Sequence, residues 1–557
     1  MNMQNKISSG LYSTVLLNSF TVFPEYLISV SILYVLIVMV LVTYNVYGLM
    51  IQKALSECIA LMLFMACYLM INDDLIPFEI VTSYDHLESG RGFVITSSVV
   101  TFNNSMINDY FGFFTKFVVC FSSAIYFMLI SSSLKEQRLI SFEYLLITLF
   151  AVLGLMLLCS SNDLLTAYLA IELSSLASYI LASFKKTSNY SIESGIKYFI
   201  TGAISSAFFL LGSSFIYGFT GSINFTVFSA LFNDNNILLD SYDFAGGALF
   251  STGNTFYFDQ PGLFQSSFAT EVGLALICLS LFIKLALAPF HLWSLDVYEG
   301  SPTSAAFFFA VISKLSIFVL LIRLCFQSYG FINFSACWQS YSLFVGLFSV
   351  LVGCFGGLKQ RKLKTLLAYS STSHMGYSLV AFSTNKSFAI QMILFALVIY
   401  IITGLCTWFI ILLLKLKKTD PGNKYSKELG DLVLLRKSNP SLAFVFALTM
   451  FSVAGIPPIA GFISKISLFL PVLALSSYMQ YIAAALISFL ISLISTFYYI
   501  RVIKVLYFES VLVGKLYYPI NTNQTLTLSI LVFSLLFIFV NPTLLYLFTC
   551  KAKLSLF

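Results

Sequence analysis

The stretch LFIKLALAPFHLWSLDVYEGSP, residues 281–302, decides the fold. It sets Lys284 inside an apolar run, five residues before Pro289, and follows the proline with His291, Asp296 and Glu299. An ammonium at the centre of a membrane helix costs about 3 kcal/mol on insertion scales, so such a lysine points to function. Proline removes a backbone donor and interrupts the helix. An interrupted helix beside a buried charge is a common way to build an ion pathway into a bundle.

The rest of the chain agrees with that reading. Of its 557 residues, 59% are hydrophobic and 10% are charged, and the mean hydropathy is +0.92. A soluble protein would carry about 25% charged residues. Apolar runs long enough to span a ~30 Å hydrocarbon core recur from residue 24 to residue 548. The chain therefore reads as an all-α polytopic membrane protein. The net charge of +6 comes from basic residues dispersed over short loops, with no stripe or patch that would grip a nucleic acid. The ten cysteines show no C-x-x-C spacing and lie mostly in apolar runs, as do Cys58, Cys67, Cys278 and Cys406. The three histidines, His86, His291 and His374, are too scattered to suggest a metal cluster. No cleavable signal peptide or Arg-rich transit sequence is expected from MNMQNKISSG at the start. Phosphate-binding Gly-rich loops, hydrolase carboxylate pairs and a Ser-His-Asp order are absent from the sequence.

Apolar blocks bounded by polar residues predict about fourteen spans. They lie at 24–45, 52–71, 110–132, 141–159, 163–184, 191–218, 270–290, 303–326, 334–357, 362–383, 386–416, 441–470, 476–508 and 523–548. Basic connections at 133–138, 185–186, 358–364, 415–437 and 501–515 all follow odd-numbered spans. Connections after even-numbered spans are acidic or nearly uncharged, with Asp73, Asp74, Glu79, Asp85, Glu88 and Asp109 in 72–109. This is the positive-inside alternation, and it places both termini on the acidic side. The KAK at 551–553 runs against it. Residues 96–109 are expected to form a hairpin, and His86 to be solvated in its polar loop.

Two proline-interrupted segments with lysines, KLALAPF at 284–290 and SVAGIPPIAGFISK at 452–465, suggest an internal repeat. The expected division is 1–140 for three N-terminal helices, 141–326 and 327–508 for two inverted five-helix repeats, and 509–557 for the last helix and tail. Pro289, Pro457 and Pro458 mark the breaks.

Five ionisable residues at membrane depth carry the functional reading: Glu172, Lys197, Lys284, Lys314 and Lys465. Burial disfavours a lysine's charge and a nearby carboxylate restores it, so moving the partner loads or unloads a proton. Plainer readings stand beside this one. Glu193 and Lys197 are an i,i+4 pair that can be purely structural. Lys314 and Lys465 can snorkel to an interface. His291 can cap a helix end, and His374 can be a satisfied core histidine.

The segment 283–314, with 168–186, 193–225, 361–382 and 451–465 in the same order, resembles the antiporter-like proton-translocating membrane subunits of respiratory complex I. The Y-F-x-x-G-A-x-x-S-A-F run after Lys197, and lysine rather than glutamate at Lys465, resemble the subunit 2 branch. The resemblance implies that Glu172 and Lys284 form the charged pair of the first half-channel, with Lys197 beside Glu172. It makes Lys314 the bridging lysine and Lys465 the terminal one, with His291 and His374 on a hydrated axis. It also implies that NADH, FMN, iron–sulfur clusters and ubiquinone are held by other subunits, leaving no cofactor and no metal in this chain. Implied neighbours are the other membrane subunits, with 4 and 4L adjacent, and membrane lipid such as cardiolipin. The implied setting is the mitochondrial inner membrane with basic loops toward the matrix. A subunit of a multi-subunit cation/proton antiporter shares these motifs and stays open. The chain departs from the pattern in a long segment at 226–269 and in keeping three N-terminal helices that bilaterian animal versions lack.

Overall fold

The computed structural model describes residues 22–42, 48–73, 99–229 (save 132, 138 and 140), 231, 262–328, 336–414, 416–417, 428–474 (save 434), 479–509, 516–517 and 522–556. Residues 74–98, with His86, and 232–261 of the 226–269 segment therefore lie outside the described residues.

Leaving aside short turns, the chain runs α1 (Phe23–Val42), α2 (Gly48–Asp73), a hairpin β1 (Val99–Thr101) and β2 (Met106–Asn108), then α3 (Tyr110–Ile130), α4 (Phe142–Ser160), α5 (Leu164–Ser183) and α6 (Asn189–Thr220). Next come α7 (Gly262–Lys284), α8 (Leu292–Gly300), α9 (Thr303–Val311) and α10 (Ser313–Ile322), the last continuing as a π-helical turn over Arg323–Ser328. They are followed by α11 (Ala336–Leu358), α12 (Leu363–Phe382), α13 (Ser387–Leu413), α14 (Pro440–Ala454), α15 (Ala460–Leu473), α16 (Met479–Tyr507), α17 (Thr522–Val540) and α18 (Thr543–Leu554). Among the described residues, 11 helices are long and apolar enough to cross a membrane. The other three expected spans correspond to the interrupted pair α7–α8, the serine-rich α12 and the interrupted pair α14–α15. The fold is polytopic and all-α, as expected, with the predicted hairpin paired Val99 to Asn108 and Thr101 to Met106.

Burial separates an inner set of helices from an outer one. The α9–α10 span and α13 are each 89% buried inside the chain, whereas α6 and α17 are 28% buried. A helix that is apolar all round belongs in the middle of a bundle. The inner α12 is an instructive exception, because its row Ser370, Ser371, Thr372 and Ser373 is buried. Their hydroxyls donate to carbonyls one turn back, as Ser370 Oγ does to Leu367 O (2.8 Å) and Ser373 Oγ to Ser370 O (2.8 Å). That internal satisfaction is what lets a polar helix sit in a dry bundle.

Two boundaries differ from the sequence reading. The first interrupted helix ends at Lys284, ahead of Pro289. Proline lacks the N–H that would bond the carbonyl of Leu285, so the helix is lost four residues upstream of the ring. Ala286, with φ 58°, turns the chain there, and the carbonyl of Ile283 accepts from both Ala286 N (3.1 Å) and Trp293 Nε1 (3.0 Å). The last expected span, 523–548, is two helices hinged at Asn541 and Pro542. Of these, α18 folds back onto α3 and α13, with Phe111 N donating to Ser555 Oγ (2.9 Å) and Gln391 Nε2 to Tyr546 O (3.4 Å). Lys551 and Lys553 fall in the last turn of α18, where cations complement the helix dipole. Local helix chemistry thus accounts for the one basic run that breaks the charge alternation. Finally, Lys284 precedes its break while Lys465 follows the other, so the two lysines occupy opposite sides of the two interruptions.

Candidate charge relay

Helix α5 carries Glu172 on the same face as Ser175 and Tyr179, since residues three, four and seven apart share a face. Glu172 Oε1 is buried with no hydrogen-bond partner among the described residues. Lys284, at the C-terminal end of α7, donates from Nζ to Tyr179 Oη at 3.3 Å, with the ammonium 5.8 Å from the tyrosine ring centre. Among the described residues no direct ion pair joins Glu172 to Lys284. The expected charged pair is therefore built with a phenol at the lysine.

Lys284 opens onto a mixed cavity in which Ser174, Ser175, Ser178, Tyr198 and, from α10, Lys314 face apolar residues such as Ile171 and Phe309. The cavity offers about 40 Å³ for water, where roughly 10–15 Å³ admits one molecule. Lys314 is 3% exposed, and its Nζ has no hydrogen-bond partner among the described residues. Instead it lies 5.8 Å from the ring centre of Tyr400 on α13. The snorkelling alternative fails here, because the amine is enclosed. Tyr400, whose hydroxyl donates to Ala310 O (2.9 Å), also lines a second cavity with His374, Ser378, Ser464 and Lys465. Its ring is 5.6 Å from that of His374. Lys465 is 8% exposed and donates to Ala454 O at 2.6 Å. That carbonyl is free because α14 stops at Gly455, whose φ of 79° caps the half-helix. The break thus supplies the acceptor for the lysine that follows it.

Lys284 and Lys314 line one cavity and His374 and Lys465 the other, while Glu172 lines neither. Lys197 and His291 line neither as well. Lys197, expected to be buried, has a side chain 43% exposed and pairs with Glu193 (2.8 Å) and with Asp296 of α8 (2.7 Å). Its position on the lightly buried α6 and the arrival of α8 alongside explain the difference, and the i,i+4 alternative describes its contacts better. His291 starts α8 without a capping side-chain bond. It faces Tyr369 at 6.2 Å between ring centres, and its Nδ1 has no partner among the described residues. Two tyrosines that the sequence reading passed over, Tyr179 and Tyr400, stand beside the lysines instead.

Two buried ion pairs were also missed. Lys116 Nζ meets Glu25 Oε1 at 2.5 Å and donates to Asn108 Oδ1 (3.3 Å). Arg323 forks onto Asp109, Nη2 to Oδ1 at 2.5 Å and Nη1 to Oδ2 at 3.1 Å. Lys116 lies within an apolar run, the same signal that selected Lys284, and could have been found by it.

Gly455 makes a sharp prediction about the second cavity. A Cβ there would stand 2.6 Å from Lys465 Cδ, on a residue held at a left-handed φ that costs side chains about 1–2 kcal/mol. Gly455→Ala should displace the ammonium from Ala454 O and lower proton-coupled turnover to the level of Lys465→Ala. Turnover equal to the unaltered protein would show that the lysine's position does not matter.

Residues 161–494 match the family described as NADH:quinone oxidoreductase/Mrp antiporter, TM. The chain belongs to this family of antiporter-like membrane subunits. It is 36% identical to NADH-ubiquinone oxidoreductase chain 2 of Marchantia polymorpha, over 81% of this chain and 85% of that one. It is 34% identical to NADH-quinone oxidoreductase subunit N of Pelagibacter ubique, over 80% and 86%. In fold it is similar to respiratory complex I from Thermus thermophilus (TM-score 0.70, 22% identity, 94% of this chain and 98% of that one). It is similar also to the Mrp complex from a Dietzia species (TM-score 0.72, 16% identity, 96% and 97%).

Proposed function

We propose that this chain is a core membrane-arm subunit of a proton-translocating NADH:ubiquinone oxidoreductase. Its part is charge movement along Glu172, Lys284, Lys314 and Lys465, with His374 on the axis and with Lys197 and His291 at its edge. The observation that supports this best is the enclosure of three lysines on two cavities that approach each other at Lys314 and Tyr400. A charge change at Glu172 alters the proton affinity of Lys284, and each later lysine responds to its neighbour through a low-dielectric interior. The chain's own chemistry is proton holding and release. NADH, FMN, iron–sulfur clusters and ubiquinone belong, in this reading, to partner subunits.

Residues 141–326 and 327–508 act as two inverted repeats, flanked by 1–140 and 509–557. In support, each repeat contains one interrupted helix, near Pro289 in the first and at Pro457 and Pro458 in the second. Subunits 4 and 4L are the proposed neighbours. An anionic lipid such as cardiolipin is proposed at the basic edge formed by Lys359, Arg361 and Arg501, where Arg501 Nη1 donates to Leu358 O (3.2 Å). The setting is the mitochondrial inner membrane with that edge toward the matrix, in keeping with the charge alternation.

A second reading, a subunit of a multi-subunit cation/proton antiporter, is favoured by the likeness to the Mrp complex. Native purification followed by NADH:ubiquinone activity and mass-spectrometric subunit identification separates the two. Comigration with a many-subunit NADH oxidase is the expected result. A redox-inactive assembly exchanging sodium for protons would move the chain to the second reading.

A further inference from the structure

We propose that Tyr179 is a positioning residue for Lys284, and that Gly202 is the notch in α6 that lets it be one. This rests on the charge-relay reading above and adds to it two residues that the relay does not contain.

Tyr179 lies two turns beyond Glu172 on α5, and its hydroxyl accepts the Lys284 Nζ hydrogen bond at 3.3 Å. The ring is 7% exposed and is fixed edge-on by Tyr198 (4.8 Å between centres) and Phe199 (5.8 Å) of α6. Tyr198 in turn stacks on Trp293 of α8 at 4.8 Å and 7°. The phenol therefore has little freedom to follow the lysine. Its position depends on one absent side chain, because a Cβ on Gly202 would stand 1.7 Å from Tyr179 Oη and 2.4 Å from its Cζ. No rotamer change confined to the hydroxyl relieves such an overlap, since the ring carbon is also struck. Gly202 sits mid-helix, where glycine costs roughly 1 kcal/mol against alanine. The close approach of the phenol is the physical use of that glycine.

The arrangement holds the ammonium on a neutral oxygen instead of on the Glu172 carboxylate. A direct contact between the two would lock the charges together. A phenol at the lysine keeps them coupled through space while leaving Glu172 Oε1 unpartnered, free to respond to charge outside the chain. Hydrogen bonding to the charged form favours that form. Losing the hydroxyl therefore removes the hydrogen bond that the Lys284 ammonium makes to Tyr179.

The test uses the assembled complex reconstituted in vesicles, with NADH-driven proton uptake followed from pH 6 to pH 10 or so. Three variants are compared: Tyr179→Phe, Gly202→Ala and Lys284→Ala. Tyr179→Phe keeps the ring packing and removes only the oxygen, so the alkaline limb of the uptake profile should move down by about half to one pH unit. Gly202→Ala keeps the oxygen and displaces it, and should move the limb in the same direction. If it fails to assemble on a native gel, Tyr179→Phe alone decides. An unshifted limb in Tyr179→Phe, with uptake lost in Lys284→Ala, overturns the positioning role and leaves the relay standing. Unchanged uptake in Lys284→Ala instead overturns the relay reading itself.

Discussion

Replacing Lys314 by methionine should leave the complex assembled and lower its coupled proton uptake at least about tenfold, a barrier change of roughly 1.4 kcal/mol or more. The two halves of that expectation have separate causes. Lys314 Nζ is enclosed and has no hydrogen-bond partner among the described residues. An unpartnered polar group in an apolar interior is destabilising, and methionine is a flexible filler of similar shape. Folding should therefore be unharmed or improved. Transport should suffer because Lys314 lies between the cavity that Lys284 opens onto and the Tyr400 ring that lines the next. Without it the ammonium beside the Tyr400 ring is lost. Native gel intensity and NADH-driven proton uptake, measured on the same preparation, check both. Full uptake in an assembled Lys314→Met complex would remove this lysine from the path, and a shortage of complex would mean that the amine is structural.

Much of this site was legible because charge is rare in apolar runs. Glu172, Lys284, Lys314 and Lys465 each interrupt such a run, and a membrane helix makes that costly enough to demand a use. The prolines announced both breaks but placed the first one too late, since the lost hydrogen bond belongs to the carbonyl four residues earlier. Lys197 differs from the others in sequence by its i,i+4 partner Glu193. Its second partner, Asp296, comes from α8 and brings it to the surface, and that meeting depends on tertiary packing. Tyr179 and Tyr400 could not be singled out among 32 tyrosines, because tyrosine is at home in a membrane bundle whether or not it faces a lysine. Gly202 is harder still, as its role is the space it leaves. Arg323 stands near the end of the 303–326 span, where an arginine can reach for the interface. Here the space is closed by Asp109 and by Cys159 O, which accepts from Nε at 3.1 Å.

That closure makes Asp109→Ala the most damaging single change expected in the described part of the chain. Arg323 is 0% exposed and Asp109 3%, so removing the carboxylate leaves a guanidinium enclosed without a counter-charge. Breaking one side of a buried pair costs roughly 3–5 kcal/mol. Asp109 is also the N-cap of α3, accepting from Gly112 N at 2.9 Å, and loss of a cap adds about 1 kcal/mol. Against a total stability of about 5–15 kcal/mol for a typical domain, that is enough to deplete the assembled complex. The neighbouring pair does not compensate, because Lys116 is already matched by Glu25. The double variant Asp109→Leu/Arg323→Met should recover most of the loss, since replacing both members of a buried pair by apolar groups is often neutral or stabilising. Native gels of the single and double variants, together with their thermal inactivation, distinguish the outcomes. Wild-type amounts of complex in Asp109→Ala would mean that water or a partner subunit reaches Arg323. Failure of the double variant to recover would assign the pair a role beyond charge balance, in holding α3 against the π-helical end of α10.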